Sequence, residues 1–202
     1  MNAGNCNPIP RISTEPSKKK ESSVSPPQWS LPKKHYLSDS HIPTRVITCF
    51  ECDTQNTIPQ TALSAHCVRC GSYIKIDKVV LGPRSHRTIT KTWGDVHVLA
   101  NSFLDNYKIH CQNLLLEGKI SGDFQCANRC IIKCDQHFHG KVSCHTLAIM
   151  KKVKVITSQP ITTTNAHVFG NLQGDITATG TVIIHKTGQI LGDITADRVE
   201  IE

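Results

Sequence analysis

The chain has 202 residues and a formal net charge of +7, and 38% of its residues are hydrophobic. This length allows one or two domains. No apolar run reaches the roughly 18–20 residues of a membrane-spanning helix, and the start of the chain lacks the apolar stretch of a signal peptide. The sequence therefore predicts a soluble, unexported, cytoplasmic protein.

The basic excess is uneven along the chain. Residues 1–45 carry seven Lys/Arg against three Asp/Glu, whereas residues 88–202 carry eleven against ten. A nearly neutral C-terminal part argues against a dedicated nucleic-acid surface there. The ten cysteines occur without a secretory signal, so they indicate free or metal-bound thiols rather than a disulfide scaffold.

Residues 1–44 are predicted to form a disordered basic tail. They are rich in Pro, Ser, Lys and Asn and show no helical or strand periodicity. Few of them have apolar side chains whose burial could offset the loss of conformational entropy on folding. The clusters 18–20 and 33–34 are lysines that could contact an anionic membrane weakly, and membrane association is one alternative. A solvated tail is favoured, because short charge clusters are weak signals.

Residues 45–87 are predicted to form a four-cysteine zinc ribbon followed by a linker. Cys49 and Cys52 form one C-x2-C pair, and Cys67 and Cys70 form another. Two residues between thiolates let one tight turn direct both sulfurs at one ion, and two such turns complete a tetrahedral site. Sulfur fills all four positions, so the zinc is expected to be structural. A redox dithiol is the alternative, but it would need only one pair.

The segment 88–202 contains a repeat of 15 to 19 residues with three columns of inward-facing positions. The first column consists of triplets with a large, a mostly polar and a small residue, which begin at Ile109, Phe124, Val142, Ile161, Ile176 and Ile194. The second consists of apolar pairs that begin at Leu114, Cys130, Leu147, Ala166, Val182 and Val199. The third contains Ile120, Phe138, Val155, Leu172 and Ile190, and Val96-His97-Val98 could begin an earlier turn.

Three short strands per repeat predict an all-β chain with about six to seven coils of a parallel β-helix. The pentapeptide GDITA, at 174–178 and 192–196, would then mark the corner and first strand of successive coils. Glycine suits such a corner because it tolerates positive φ. Gly122 and Gly140 would occupy the same corner in earlier coils. Inward cysteines such as Cys111, Cys126 and Cys144 are expected to act as small apolar side chains.

On these G-D-I-x-A corners and the VII and VEI strands around them, residues 88–202 resemble the bactofilins, which are polymer-forming bacterial cytoskeletal proteins. The resemblance implies a right-handed β-helix that assembles end to end into filaments without a nucleotide. A zinc ribbon is not part of the basic family pattern. The ribbon is therefore expected to be an added module that recruits a protein partner or regulates assembly, with the tail as a second candidate for partner binding.

The last coil, ITADRVEIE, is expected to present an uncapped solenoid end. Solenoids normally need polar caps, because terminal coils expose unpaired backbone groups and the ends of their apolar columns. Ile194, Val199 and Ile201 are the predicted contact residues at this end. Identical units that stack through such ends form an open homopolymer, although a tail or ribbon folded over one end would keep the protein small.

The sequence gives less support to two other functions, an enzyme and a non-polymerising adaptor. Left-handed β-helix enzymes have 18-residue coils, but their hexapeptide phase fails in the 15- and 19-residue coils, and the sequence shows no nucleophile–base pair or phosphate loop. His137 and His139, with Cys134 nearby, could chelate a metal, but surface histidines are the favoured interpretation. The second rival is a non-polymerising adaptor that binds protein or nucleic acid through the ribbon. No catalytic or cofactor-binding residues are predicted.

Overall fold

A computed structural model describes residues 42–202, so the predicted tail lies almost entirely outside the described residues. Residues 42–202 lie within one compact unit. Every regular element between residues 42 and 202 is a β-strand, which confirms the all-β prediction. That part of the chain contains no helix that is long and apolar enough to cross a membrane.

The first four strands form two antiparallel hairpins. Strand β1 (Thr44–Thr48) pairs with β2 (Gln55–Pro59), and β3 (Ser64–His66) pairs with β4 (Tyr73–Lys75). Apart from the buried Asn56, the inward faces of the hairpins are apolar and form a small core around Ile47, Ile58 and Ile74. We call residues 44–76 the ribbon.

The remaining strands wind into a parallel β-solenoid of about seven turns. They are β5 (Val79–Leu81), β6 (Ile89–Lys91), β7 (Asp95–Val98), β8 (Phe103–Leu116), β9 (Lys119–Ile132), β10 (Gln136–Phe138), β11 (Val142–Ile149), β12 (Lys154–Thr157), β13 (Ile161–Val168), β14 (Asn171–Gln173), β15 (Ile176–Ala178), β16 (Thr181–Ile184), β17 (Gln189–Leu191), β18 (Ile194–Thr195) and β19 (Arg198–Ile201). Parallel pairing already begins at β5, before the predicted start of the β-helix at residue 88.

The first two columns are confirmed residue by residue. On the first face, Cys111 pairs with Cys126, and Cys126 pairs with Cys144. On the second face, β19 pairs with β16, so that Val199 lies beside Val182. The side chains of both columns point into one continuous core, because alternate residues of a strand face the same side. The earlier turn at 96–98 is also confirmed.

The third column differs from the prediction at one coil. The register pairs Gln136, not Phe138, with Val155, and it places Phe138 beside Thr157. Both Phe138 and Gln136 are buried, and the ring of Phe138 meets Phe124 edge-on with ring centroids 5.5 Å apart. A buried amide therefore occupies a position for which the repeat pattern predicted an apolar side chain, that of Phe138.

The backbone geometry explains why glycine occupies the corners of the solenoid. Gly122, Gly174 and Gly192 have φ values of +130°, +136° and +154°, a region that favours glycine. Gly140 is not among the glycines with positive φ; it is required because a Cβ there would overlap the Gly122 carbonyl of the preceding coil.

The aspartates of these corners link one coil to the next. Oδ1 of Asp123 accepts the Lys141 N–H at 2.9 Å, and Oδ1 of Asp175 accepts the Asp193 N–H at 2.9 Å. Each carboxylate thus bonds a backbone donor at the same corner of the following coil. Stacking of successive coils therefore explains why the Gly-Asp pair recurs.

Candidate metal centre and terminal coil

The first cysteine turn closes on itself through its backbone. The Cys49 N–H donates to the Thr54 carbonyl at 2.9 Å, and the Asp53 N–H donates to the Cys49 carbonyl at 3.1 Å. Asp53 adopts φ +55°, which lets the chain reverse directly after the second cysteine of the pair. The Glu51 N–H points at the Cys49 sulfur from 3.4 Å. The turn thus directs a backbone donor at sulfur.

The second cysteine turn repeats this geometry. The Cys67 N–H donates to the Ser72 carbonyl at 2.9 Å, and the Gly71 N–H donates to the Cys67 carbonyl at 2.9 Å. Gly71 adopts φ +70°, and the Arg69 N–H lies 3.4 Å from the Cys67 sulfur. The two turns are therefore near-copies that bring their sulfurs together from opposite hairpins.

The four sulfurs of Cys49, Cys52, Cys67 and Cys70 lie within 4.8 Å of one another. The Cys49–Cys70 and Cys52–Cys67 sulfur pairs are 3.6 and 3.5 Å apart. A tetrahedral ion with metal–sulfur bonds of about 2.3 Å requires sulfur–sulfur separations of about 3.8 Å. The predicted cysteines are thus close enough to hold a metal ion. Among residues 42–202 no other group of three or more His, Cys, Asp or Glu side chains has such geometry.

In each turn, a hydroxyl group lies within hydrogen-bond distance of the sulfur of the second cysteine. Oγ1 of Thr54 lies 3.3 Å from the Cys52 sulfur, and Oγ of Ser72 lies 3.1 Å from the Cys70 sulfur. When a metal holds these sulfurs as thiolates, the hydroxyls are the donors. Such hydrogen bonds orient the ligands and reduce the charge on sulfur.

Asn56 joins the two turns and was not identified from the sequence. Its amide donates to the Thr54 carbonyl at 2.7 Å, and its Oδ1 accepts the Val68 N–H at 2.8 Å. The side chain is buried, and its amide also lies 3.9 Å from the Cys67 sulfur. The available signal was its alternation with Ile58 on the inward face of β2. Asn56 therefore fixes the distance between the turns.

The backbone donors act unequally on the thiols. The N–H of Cys70 is the main cause that lowers the pKa of Cys67 to about 6. The hydroxyl of Ser72 lowers the pKa of Cys70 below its ordinary value. For Cys49, the Glu51 N–H lowers the pKa, but burial and the neighbouring thiols outweigh it and raise the pKa to about 11. The second turn thus favours thiolate most strongly.

The ribbon packs against the solenoid rather than standing apart from it. Nε1 of Trp93, between β6 and β7, donates to the Thr48 carbonyl at 2.6 Å. Phe50 stacks on Trp93 with ring centroids 5.8 Å apart and meets His110 edge-on at 4.7 Å. Burial, followed by the charge of Lys91, lowers the pKa of His110. The first cysteine turn is therefore anchored on the outer wall of the solenoid.

Further polar contacts reinforce this junction. Lys91 pairs with Glu51 at 2.8 Å, and the Thr92 hydroxyl donates to the Asp77 carbonyl at 2.8 Å. A Cβ on Gly94 would overlap the Asp77 carbonyl, so the two backbones approach as closely as glycine permits. These contacts join the ribbon, the linker and the first turn in one structure.

The last coil exposes side chains whose columns are buried from β7 through β13. Val199 and Ile201 are 47% and 80% exposed, whereas Val182, beside Val199, is fully buried. Ile194 is half-buried and packs against the solenoid core. The strands β17, β18 and β19 are outermost in their sheets. The predicted contact residues thus share the C-terminal end of the solenoid.

Between residues 42 and 202, the other cysteines and histidines form no comparable site. Cys126, Cys130 and Cys144 are buried; hydrogen bonding between thiols and burial raise the pKa of the first two, and burial raises that of the third. They therefore stay protonated and fill the core. The rings of His137 and His139 are 4.3 Å apart, without a third ligand among the described residues.

Residues 154–202 match the family model described as "Bactofilin: Polymer-forming cytoskeletal". No curated protein matches the chain, and no solved structure does either. The match covers the last coils, where GDITA occurs twice and where the terminal strands β17 to β19 lie. This part of the solenoid is therefore similar to the bactofilins, a family described as cytoskeletal and not as enzymatic.

Proposed function

We propose that this protein is a bactofilin-type cytoskeletal scaffold, which polymerises without a nucleotide through the ends of its solenoid. The observation that carries the proposal is the exposure of Val199 and Ile201 at the ends of columns that are buried from β7 through β13 and still buried at Val182 and half-buried at Ile184 in the coil before the last. Edge strands with unpaired backbone groups are templates for another chain. The family match on residues 154–202 supports the same role.

The exposed apolar side chains at this end can stabilise a contact between two copies of the chain. Covering one fully exposed Val or Ile side chain contributes about 1.5–3 kcal/mol. Ile201, at 80% exposure, would gain most of that amount, and Val199, at 47%, about half. Backbone pairing along β19 adds to this gain. Together these terms suit a contact that forms repeatedly along a filament.

We further propose that the four-cysteine centre binds a structural Zn²⁺. Tetrahedral all-sulfur sites suit zinc or iron–sulfur chemistry, and a closed mononuclear site with two C-x2-C turns is typical of zinc ribbons. With four protein ligands, the ion would have no open position for a substrate. Its role would be to fix the two hairpins, as in other small metal-stabilised modules.

The ribbon is the candidate for partner binding or regulation. Its apolar side chains that remain exposed include Val46, Leu63, Val68 and Tyr73, with exposed fractions of 59%, 72%, 81% and 61%. Exposed apolar surface is a feature of protein docking sites, so these four side chains are the candidate contacts. Two basic side chains near it are already paired, Lys75 with Asp77 and Lys91 with Glu51, which does not favour a nucleic-acid partner. Cytoplasmic localisation, with weak membrane contact through the basic tail, remains part of the proposal.

The test is negative-stain electron microscopy and sedimentation of the purified full-length protein without nucleotide. We expect filaments from the unmodified chain. Ile201→Asp places a carboxylate in the contact, and we expect it to raise the concentration needed for assembly by at least about tenfold, the equivalent of 1.4 kcal/mol.

The matched control is Val68→Asp. Val68 is 81% exposed, as Ile201 is 80% exposed, but it lies on the second cysteine turn of the ribbon. We expect this variant to assemble like the unmodified protein. Small particles in all three samples would contradict a polymer, and equal loss of assembly in both variants would contradict a contact at the last coil.

A further inference from the structure

We propose that His167 and His185 form a second metal site, which binds Zn²⁺ on the outer wall of the solenoid. The four cysteines of the ribbon take no part in it. Three features of the structure support the proposal: the spacing of two ring nitrogens, a carboxylate that fixes the proton on one of the rings, and the packing that holds this ring in place.

Three successive coils bring the side chains of this site together. His167 belongs to β13, His185 directly follows β16, and Glu202 directly follows β19. These three strands pair in parallel, and the pairing continues beyond them. The His185 N–H donates to the Val168 carbonyl, and the Glu202 N–H donates to the Ile184 carbonyl, both at 3.0 Å. The main chain therefore fixes the spacing of the three side chains.

The two imidazole nitrogens are spaced like two ligands of one ion. Nδ1 of His167 lies 3.4 Å from Nε2 of His185. Zinc–nitrogen bonds of about 2.0–2.1 Å in a tetrahedral site require a nitrogen–nitrogen separation of about 3.3–3.4 Å. Hydrogen bonds from N–H groups are most often about 2.9–3.0 Å long. The contact is thus long for a hydrogen bond, and its length suits two nitrogens that share a tetrahedral ion.

Glu202 holds His185 in the tautomer that a metal ion needs. Its Oε2 lies 2.5 Å from Nδ1 of His185, so Nδ1 carries the proton and donates it to the carboxylate. In the neutral ring Nε2 then has the lone pair, and this is the nitrogen that faces His167. A carboxylate on the outer N–H of a ligating histidine is a common feature of metal sites, and it raises the basicity of the ligand.

Packing restricts the His185 ring further. The ring of Phe169 stacks flat on it, with ring centroids 3.7 Å apart and an interplanar angle of 2°. The side chain of His185 is only 17% exposed. Phe169 covers one face of the ring and Glu202 holds one of its nitrogens, so Nε2 has little freedom to turn away from His167. A ligand that is already in place loses less conformational entropy when the ion binds.

The donor set selects the ion. Imidazole nitrogen suits Zn²⁺, Cu²⁺ and Ni²⁺, whereas Mg²⁺ and Ca²⁺ prefer oxygen. Adjacent ligands of an octahedral ion, with bonds of about 2.1 Å, lie only about 3.0 Å apart, so the observed 3.4 Å favours tetrahedral Zn²⁺. Between residues 42 and 202 the chain supplies no third ligand here. Two positions would therefore be open to water or to a ligand from another molecule.

An ion at this site would link neighbouring coils near the end of the solenoid. His167 and His185 would bind it directly, and Glu202 would connect the following coil to it through His185. With two protein ligands instead of four, the ion would bind more weakly than at the cysteine centre. The site would therefore fill only when Zn²⁺ is supplied, whereas the protein as purified would retain the ion of the ribbon.

The experiment is equilibrium dialysis of the full-length protein over a series of free Zn²⁺ concentrations, with elemental analysis of the bound metal. The unmodified protein is compared with His167→Gln and with His185→Gln. The matched control is the double variant His137→Gln and His139→Gln, whose two rings are 4.3 Å apart on the third face. All four proteins keep the cysteines, so differences in bound Zn²⁺ report on the histidines alone.

We expect the unmodified protein and the control to bind one more Zn²⁺ per chain than either single variant. Equal zinc contents in all four proteins would overturn the proposal. Loss of the additional ion in the double variant, with the ion retained in the single variants, would overturn it as well. An empty cysteine centre would lower the zinc content of all four proteins by the same amount, so failure of the ribbon site is distinguishable from failure of this one.

Glu202→Gln tests the arrangement in a folded protein, because the Glu202 side chain is 57% exposed. Its amide oxygen can still accept the His185 N–H but carries no charge, so we expect the affinity for the additional Zn²⁺ to fall about tenfold, as for other outer-shell partners. Zn²⁺ should also stabilise the unmodified protein more than His167→Gln in urea denaturation. Unchanged affinity of Glu202→Gln, or equal stabilisation of the two proteins, would overturn the arrangement.

Discussion

Gln136 provides a sharp test of the third face of the solenoid. Its side chain is 4% exposed and lies where the repeat pattern alone favours an aliphatic residue. Nε2 donates to the Gly118 carbonyl at 2.8 Å, and Oε1 accepts the Ile120 N–H at 3.2 Å. The amide thus bonds two backbone groups of the preceding coil that strand pairing leaves open. We predict that Gln136→Leu destabilises the protein, although it completes the apolar column.

The expected change in the free energy of unfolding is the cost of two lost hydrogen bonds minus the gain from added apolar burial. Each buried backbone group without a partner costs about 1–3 kcal/mol. The Gly118 carbonyl retains a 3.2 Å contact with the Cys134 thiol, so its loss belongs at the lower end of that range. The leucine side chain returns about 1–2 kcal/mol of apolar burial. The two lost hydrogen bonds together cost about 2–4 kcal/mol, so the net loss in the free energy of unfolding is about 0–3 kcal/mol, with a central value of about 1.5 kcal/mol.

The assay is urea denaturation followed by circular dichroism, with Ile201→Asp present throughout so that assembly does not contribute. The matched control is Gln173→Leu, the same chemical change at an exposed position of the third face, which should change the free energy of unfolding by less than about 0.5 kcal/mol. Equal or greater stability of Gln136→Leu would refute the reasoning, because it would show that the column prefers an aliphatic residue over the two hydrogen bonds.

Three further predictions concern the ribbon, the junction and the corners. Metal analysis should find one Zn²⁺ per chain, and Cys67→Ser should lose it; an unchanged zinc content would contradict the four-sulfur site. Trp93→Ala removes the stack and hydrogen bond that anchor the ribbon and should cost about 2–4 kcal/mol by urea denaturation, whereas a change below 0.5 kcal/mol (roughly the surface level) would show that the ribbon is independent. Gly122→Ala, whose Cβ would overlap the Tyr107 backbone, should cost more than about 3 kcal/mol. Gly71→Ala, with positive φ but open space, should cost only about 1–2 kcal/mol, and the reverse order would contradict the corner geometry.

The first two faces could be predicted from the sequence because their inward positions alternate with period two and recur in every coil. Triplets such as 161–163 and 176–178 identify the same strand in successive coils, and the observed register pairs them as expected. The cluster of four cysteines could also be placed, since C-x2-C spacing specifies a local turn. In both cases the determining signal lies within a few residues of the chain.

The features that the sequence did not reveal depend on contacts between distant residues. The side-chain amide of Gln136 bonds two backbone groups of the preceding coil. In a hydropathy pattern, such a glutamine looks the same as a polar residue that interrupts the apolar column. Strand β5 lacks a Gly-Asp corner, so Val79–Leu81 resembled a linker. Phe50 and Trp93 belong to segments that are separate in sequence, and only the folded chain shows that they stack and that the ribbon rests on the solenoid.

The measurement that tests the central claim most directly is X-ray fibre diffraction from aligned filaments of the full-length protein. If the solenoids stack through their ends, the strands lie across the filament axis, and a strong reflection at about 4.8 Å should fall along that axis. Filaments in which this reflection is perpendicular to the axis would show that solenoids associate side by side. That result would contradict assembly through the last coil.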